Sequence, residues 1–403
     1  MARRFKNSAP AVASAERSRL PCPHYPSCFG CPLIAIPYTE QLKRKHECLV
    51  AALYAYASLT GIQIPQVVAS PHRLGYRGRV KLVVRKTKGE IAAGLYVPGT
   101  HRVMDISSCP VHPGPVNLVV AFLKKKLLEL GIVPYDERND SGQLRYLDFR
   151  YGFVRRQMTL TLVTRHREFP EGKKLAHVLK RRFPFVVGVI QNVNEQRGNV
   201  IWGSESLLLA GEDLLVERIG SVELGFPANV FSQANPATAG KIYEKIVELA
   251  ALTGVESVVD LYCGVGAIAL HLAGGAQRVW GIDESEASIA AAAQNSRRNG
   301  ISNSRFIAGD VEARLEELKE KLGPIDLISL NPPRKGLQPA ALDALLAAKA
   351  GKLIYVSCEP KTLARDLNLL VQAGYVVKQI QPFDMFPQTT EVETLALLTK
   401  SRV

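Results

Sequence analysis

Val255-Glu-Ser-Val-Val-Asp-Leu-Tyr-Cys-Gly-Val-Gly266 decides the fold. Its β-branched apolar run reads as a strand that ends near Asp260. Two glycines follow, and they let the backbone turn sharply and approach a ligand before a helix of small residues begins. The rhythm repeats downstream. RVWGIDES (278–285) precedes an Ala-rich helix at 285–299, then RFIAGD (305–310) and IDLISLNPPRKG (325–336) follow. KLIYVSCEP (352–360) is followed by a helix near 361–373, and VVKQIQPFDMF (376–386) and VETLALLTK (392–400) have no helix between them. The first five strands predict a parallel, doubly wound sheet, and the final pair predicts an antiparallel edge hairpin.

Upstream the pattern is different. RGRVKLVVRK (77–86), IAAGLYVPG (91–99), LRYLDFRYG (144–152), QMTLTLVTR (157–165), VVGVIQNVN (186–194) and NVIWG (199–203) read as short strands, with helices near 114–130 and 171–183. This is an α+β module. Residues 1–20 form a basic, Ala/Ser-rich tail expected to be mobile. A cysteine-rich segment follows, then a helix from Tyr38 to about Ala57. The expected division is a tail at 1–20, a cysteine-bearing central domain at 21–215 and a C-terminal α/β domain at 216–403. The helix within 38–60 is expected to pack on the C-terminal domain.

Of the 403 residues 47% are hydrophobic, ordinary for a globular chain. No apolar run nears the roughly 18 residues of a membrane span, and no secretory segment opens the chain, so the expected location is cytoplasmic, without membrane association. The net charge of +14 is uneven. Residues 221–403 hold 18 basic and 20 acidic side chains, while 1–220 hold 33 and 17. A basic module beside a near-neutral one suggests a polyanion held by the first and worked on by the second.

Asp260, Gly264 and Gly266 shape the first strand-to-helix turn. Asp283 ends the next strand, where a carboxylate can bind both ribose hydroxyls of an adenosine. Asp310, after the third strand, can face the adenine edge. A glycine turn with a later acid also suits dinucleotides, but position 269 is Ala where the dinucleotide fingerprint has its third Gly. The strand order is the one required by S-adenosylmethionine-dependent methyltransferases. Asn331-Pro-Pro-Arg-Lys-Gly336 follows the fourth strand, where Asn331 can be aimed at a flat base and the methyl donor, with Arg334 and Lys335 near phosphate. Cys358 ends the fifth strand and so lies in the ligand crevice. Cys22, Cys28 and Cys31 are a compact ligand set, in a cytosolic protein a metal or cluster site rather than a disulfide. Cys48 is expected in the core on the apolar face of its helix.

These segments, with Phe231-Ser-Gln-Ala-Asn-Pro236 and Asp384-Met-Phe-Pro-Gln-Thr-Thr-Glu-Val-Glu393, resemble the RNA uracil-C5 methyltransferases, which form 5-methyluridine in tRNA and rRNA. The likeness covers roughly 21–403. It implies a seven-stranded, Rossmann-like class I methyltransferase domain behind an α+β RNA-binding domain. It implies Cys358 as the nucleophile that adds to uracil C6, and Glu393 as the base that removes the C5 proton. Gln233, Tyr262, Asp283 and Asn331 would contact the S-adenosylmethionine cofactor and the base. Cys109 would complete a structural [4Fe–4S] cluster with Cys22, Cys28 and Cys31; zinc is the alternative, with His24 and His112 nearby. Two positions depart from the family. Glu391 stands where His is common, and Glu359 where Asn is common.

The expected partner is structured RNA, and the protein is expected to be a monomer. Arg73, Arg77, Arg79, Lys81 and Arg102 are candidates for phosphate, with Tyr76 or Phe149 to stack. A small β-barrel domain that often begins family members has no counterpart in the residues before Cys22. This resembles the shorter rRNA-modifying branch, so 23S rRNA processing is expected, with tRNA as the alternative. A noncatalytic RNA-binding or assembly factor, and base methylation without a covalent intermediate, are the competing readings.

Overall fold

The computed structural model describes residues 21–198 and 200–401, so the expected mobile tail at 1–20 lies outside the described residues. A helix, α1 (Tyr38–Leu53), follows the cysteine-rich segment. The central region contains β1 (Arg79–Thr87), β2 (Glu90–Tyr96), β3 (Val103–Asp105), α2 (Gly114–Glu129), β4 (Leu144–Gly152), β5 (Gln157–Thr164), α3 (Pro170–Arg182), β6 (Val186–Val193) and β7 (Glu205–Gly211). They form one sheet in the order β3-β2-β1-β4-β5-β6-β7. Every pairing is antiparallel except β5 with β6, where α3 supplies the crossover that a parallel pair requires. One face of the sheet packs under α2 and α3 through Val80, Leu82, Leu147, Phe149, Leu160 and Leu162.

A hairpin, β8 (Leu214–Ile219) and β9 (Val222–Pro227), leads into α4 (Pro236–Ala250). It straddles the expected boundary between 215 and 216. Ile219, Val222, Leu224 and Phe226 pack in the same core as the C-terminal strands.

The C-terminal region then runs β10 (Ser257–Leu261), α5 (Ala267–Ala273), β11 (Arg278–Asp283), α6 (Glu286–Arg298), β12 (Ser304–Ala308), α7 (Val311–Leu322), β13 (Leu327–Leu330), α8 (Pro339–Ala348), β14 (Lys352–Ser357), α9 (Pro360–Gln372), β15 (Tyr375–Phe383) and β16 (Glu393–Lys400). The sheet order is β12-β11-β10-β13-β14-β16-β15. The pairings from β12 to β14 are parallel, and β16 is antiparallel to both its neighbours. The doubly wound sheet and its terminal antiparallel pair are therefore present. The last strand slots inside β15 rather than outside it. Two apolar cores line the two faces of this sheet, and α1 contributes Leu49 and Leu53 to one of them. No described helix is long and apolar enough to cross a membrane.

Four details of the sequence reading are corrected. Residues 200–203 of the expected NVIWG strand are loop, while β3 and β7 were not anticipated. Cys48 is exposed, not in the core. Tyr76 is 1% and Phe149 0% exposed, so neither can stack on RNA. The Arg79 guanidinium is largely buried against Asp148, with Nη2 at 3.2 Å from Oδ2, so it is not a free phosphate contact.

Candidate active site

Parallel strands all end on one edge of the sheet, so Asp283, Asp310, Asn331 and Cys358, each at or just past a strand end, share that edge. The first turn is held from beneath. Asp260 is fully buried, and its two oxygens accept from Ser329 Oγ at 2.7 Å and from the Ala269 amide at 3.0 Å. Burial pushes its carboxyl up to about 7. Expected among cofactor contacts, Asp260 instead ties β10 to β13 and to the start of α5. Tyr262 (φ +59°), Gly264 (φ +54°) and Gly266 (φ +84°) carry the left-handed backbone of the turn. A Cβ at Gly264 would meet open space, so the backbone there faces the crevice. Half-buried Asp283 accepts from the Gly264 amide and the Ser285 amide, both at 2.9 Å. Each of its oxygens keeps a second lone pair for a ribose hydroxyl. Asp310 stands exposed before α7.

The Asn331–Gly336 loop is gripped by α9. Thr362 Oγ1 donates to the Arg334 carbonyl at 3.1 Å, and Arg365 Nη2 donates to the Lys335 and Leu337 carbonyls at 3.0 and 3.1 Å. Asp366 accepts from the Leu337 amide at 2.8 Å and from Tyr355 at 2.6 Å. Gly336 has φ +72°, and a Cβ there would lie 2.5 Å from the Asp366 carboxylate. Glu359 accepts from the Lys361 amide at 3.3 Å and so caps α9, a task that an Asn can also perform.

The antiparallel register of β14 and β16 brings the two expected catalytic residues together. Lys352 pairs with Thr399 and Ser357 with Thr394, so one further residue sets Cys358 opposite Glu393. Opposed residues have Cα atoms roughly 5 Å apart. The Cys358 thiol is half-buried; burial, then the Glu393 carboxylate, push it up to about 11. Arg334 is the cation that draws it back down. Glu393 is 4% exposed, and burial pushes it up to about 7, with Arg334 opposing and Glu391 reinforcing. Arg334 Nη2 lies 2.8 Å from Glu391 Oε2. The non-family residue at 391 therefore holds the cation that acts on both Cys358 and Glu393. Sequence reasoning assigned Arg334 only to phosphate. An ion pair 57 positions apart leaves no local signal.

The segment from Asp384 to Glu391 is strapped down from the N-terminal side. Buried Lys45 bonds Asp384 Oδ1 at 2.5 Å, and Tyr38 donates to Oδ2 at 2.8 Å. Gln41 donates to Gln388 Oε1 at 2.9 Å, and the Leu33 amide donates to the Gln388 carbonyl at 3.0 Å. Asn235 caps α4, accepting from the Thr238 amide at 3.2 Å, while its amide donates to Ser70 Oγ and to the Met385 carbonyl, both at 3.0 Å. This fixes the loop that carries Gln233. Arg79 donates to the Val230 carbonyl at 3.1 Å and Arg150 to the Ala228 carbonyl at 2.8 Å, so the central sheet grips the same loop. At its tip Phe231 is 65% exposed, the most accessible phenylalanine of the described residues and one the sequence reading gave no role. Arg73, Lys81 and Arg102 remain exposed; Arg73 lies over the Tyr38 ring at 4.4 Å and Lys81 over Trp202 at 5.8 Å.

Cys22, Cys28, Cys31 and Cys109 line one cavity, with Tyr25, Arg77 and His112 among its other walls. Burial, then the charge of Cys109, push the Cys31 thiol up to about 12, and Arg77 opposes this. His24 Nε2 accepts from the Ser107 and Ser108 amides at 3.2 and 3.4 Å, which joins the two cysteine-bearing loops. Among the described residues no group of three or more His, Cys, Asp or Glu is arranged to hold a metal ion.

The sequence model described as tRNA (Uracil-5-)-methyltransferase matches residues 37–401. An uncharacterized RNA methyltransferase of Geobacter sulfurreducens is 40% identical over 99% of this chain and 81% of its own length. Another from Halalkalibacterium halodurans is 36% identical over 96% of this chain and 84% of its own length. The crystal structure of Pyrococcus abyssi tRNA (uracil-54, C5)-methyltransferase in complex with S-adenosyl-L-homocysteine aligns with a TM-score of 0.77 at 28% identity, covering 92% of this chain and 85% of that one. With the family match spanning both sheets and the strand-end site, the chain belongs to the tRNA (uracil-5-)-methyltransferase family.

Proposed function

We propose that this enzyme methylates C5 of a uridine in structured RNA, with Cys358 as nucleophile and Glu393 as base. The observation that carries the reading is the β14–β16 register, which opposes a thiol and a carboxyl at the ligand edge of the sheet. Residues 21–215 serve mainly to hold RNA, and 216–403 to perform the chemistry. The donor set of the first turn suits S-adenosylmethionine. Gly264 opens the backbone to the crevice, Asp283 offers lone pairs to a ribose, and Tyr262, Asp310 and Asn331 follow strand ends on the same edge; Gln233, in the loop between β9 and α4, is assigned to the cofactor by the family motif alone. Bound there, the cofactor supplies a methyl group on a sulfonium.

Uracil C5 is a weak nucleophile until its ring is charged. Cys358 gives up its thiol proton to solvent, its thiolate sulfur bonds to C6, and the electron pair of the C5–C6 double bond moves toward O4 to make C5 enolate-like. C5 then takes the methyl group, and the methyl–sulfonium bond breaks to leave a neutral thioether. Glu393 removes the C5 proton, the C6–sulfur bond breaks, and that proton leaves to solvent. Arg334 favours both the thiolate and the carboxylate. A stacked uridine must leave its neighbours to reach this edge, and Phe231 exposes a ring on which a base can stack.

The donor set of the four-cysteine cavity, rather than the arrangement of its thiols, suits a [4Fe–4S] cluster. Four thiols share it, and Tyr25 Oη, Arg77 Nε and His112 Nδ1 on its wall are buried without a partner. Such a group would crosslink the segment before α1 to the loop before α2, and no electron transfer is needed for methylation.

The test uses RNA containing 5-fluorouridine with radiolabelled donor. Fluorine cannot leave as a cation, so a denaturation-resistant protein–RNA adduct should accumulate with wild type and not with Cys358→Ala. No adduct on competent RNA, or an adduct that persists without Cys358, refutes the mechanism. Transcripts of 23S rRNA and of tRNA, run in parallel, decide the substrate. The rRNA expectation comes from the sequence, and the tRNA reading is favoured by the Pyrococcus abyssi enzyme, whose structure covers most of this chain.

A further inference from the structure

Three of the buried side-chain polar atoms left without a partner among the described residues border one cavity. They are the Tyr25 hydroxyl, Arg77 Nε and His112 Nδ1, and that cavity is the one the four cysteines line. Burying a polar atom with no partner costs about 1–3 kcal/mol, so three in one place call for an acceptor. None of the three atoms finds one in the protein as folded. The cavity lining includes no aspartate or glutamate, and its remaining walls are Gly30, Ile34, Val80, Leu95, Ile106 and Val111 with Lys81 and His24. The Lys81 ammonium leans toward Trp202, at 5.8 Å from the ring. His24 Nε2 is already engaged with backbone amides. Thiolates and sulfides are the acceptors this cavity would present once filled.

We propose that Arg77, His112 and Tyr25 are the hydrogen-bond donors to the sulfur atoms of the group held by Cys22, Cys28, Cys31 and Cys109, and that Arg77 is its principal counter-charge. This rests on the cluster reading above. Arg77 is placed for both tasks. Its backbone amide donates to the Val111 carbonyl at 3.1 Å, which fixes it beside the Cys109 loop. Its side chain lines the same cavity as Cys31. It also lies 5.7 Å from the Phe386 ring, in the strap that leads to Glu393. His112 is 8% exposed and its amide donates to the Cys109 carbonyl at 3.2 Å. Tyr25 packs in the same small cluster as Cys31 and Phe386. Four thiolates on a cluster leave net negative charge in a poorly solvated place. Donors and a cation there stabilise the reduced form most, because it carries one more electron.

The experiment uses the full chain purified without oxygen. Iron and sulfide content, the midpoint of a dithionite titration followed by electron paramagnetic resonance, resonance Raman Fe–S stretching bands, and the rate of iron release to a chelator are measured for wild type, Arg77→Gln, Arg77→Lys, His112→Phe and Tyr25→Phe. The expected result is a midpoint lowered most in Arg77→Gln and partly restored in Arg77→Lys. His112→Phe and Tyr25→Phe should lower it less, all four variants should shift the Fe–S bands, and Arg77→Gln should release iron several-fold faster. If Arg77→Gln does not fold, the other three variants carry the test. Iron bound as in wild type, with unchanged midpoints, bands and release rates, overturns this inference and leaves the cluster standing. A wild type that binds no iron, or binds zinc, overturns both.

Discussion

Two thiol sites of the molecule are surrounded differently. At the sheet edge one thiol faces a carboxyl, Glu393, and one cation, Arg334, itself tethered by Glu391. In the N-terminal cavity four thiols face cations and unpaired donors, with no carboxylate on the lining. Burial raises both, Cys358 to about 11 and Cys31 to about 12. Desolvation therefore does not separate the proposed nucleophile from the proposed cluster ligands; the neighbours do. A nucleophile must become a thiolate, attack and leave again, so it needs adjustable charge within reach. A ligand stays charged while its partner is bound, so it needs permanent compensation.

Removing each partner set in turn breaks the comparison in order of effect. Cys358→Ala should abolish both the fluorouridine adduct and methyl transfer, measured by tritium release from C5-labelled uridine RNA. An alanine variant that still turns over would move the chemistry elsewhere. Glu393→Gln should slow tritium release by about 10²–10⁴-fold, the usual worth of a general base. It should also accumulate adduct on unmodified RNA, since addition precedes proton removal. Lys45→Met should cost about 3–5 kcal/mol in urea unfolding, the price of leaving a buried charge without its partner. That variant removes the support beneath the strap that leads to Glu393 while changing no thiol, which tests how far the strap sets stability.

The two regions also differ in how far sequence exposes them. The strands β10 to β14 are short, nearly continuous apolar runs because both faces are covered, and such runs are legible. Their ends could be read as a shared ligand edge from order alone. The pairing of β16 inside β15 could not, since it is a long-range register that the residues of neither strand encode locally. That register opposes Cys358 and Glu393. The central sheet was read less well. Val200, Ile201 and Trp202 look like a strand, yet Ile201 and Trp202 are apolar because they cover Val83, Tyr146 and Val163 as a loop. In α1 the buried stripe is Gln41, Lys45, Leu49 and Leu53. Two of these four are polar and satisfied by Gln388 and Asp384, so apolar periodicity picked the wrong face and put Cys48 inside. Tyr76 looked like a stacking platform, but its hydroxyl serves the Pro387 carbonyl at 3.0 Å.

The smallest effect expected is also the most diagnostic for the departure at 391. Glu391 raises both Cys358 and Glu393, and Arg334 lowers both. In Glu391→Gln the raising anion is gone while Arg334 remains, so both groups should deprotonate more readily. The rising limb of kcat/KM against pH should then move to lower pH by a fraction of a unit. Arg334→Gln should move it the other way. The stability sign follows from Glu393, which burial raises to about 7 from an ordinary 4.5. A carboxyl raised on folding stabilises the fold while protonated, fully so below about pH 4.5. That contribution is lost as pH rises toward 7, where the buried charge must form. The stability of wild type relative to Glu393→Gln should therefore fall across that window, read by urea unfolding at several pH values. It should fall less steeply in the Glu391→Gln background, because removing the neighbouring anion narrows the gap between folded and unfolded carboxyl. If Glu391→Gln leaves both the rate limb and the stability slope in place, the ion pair at the rim is only a surface contact, and the charge around Cys358 is set by Glu393 and Arg334 alone.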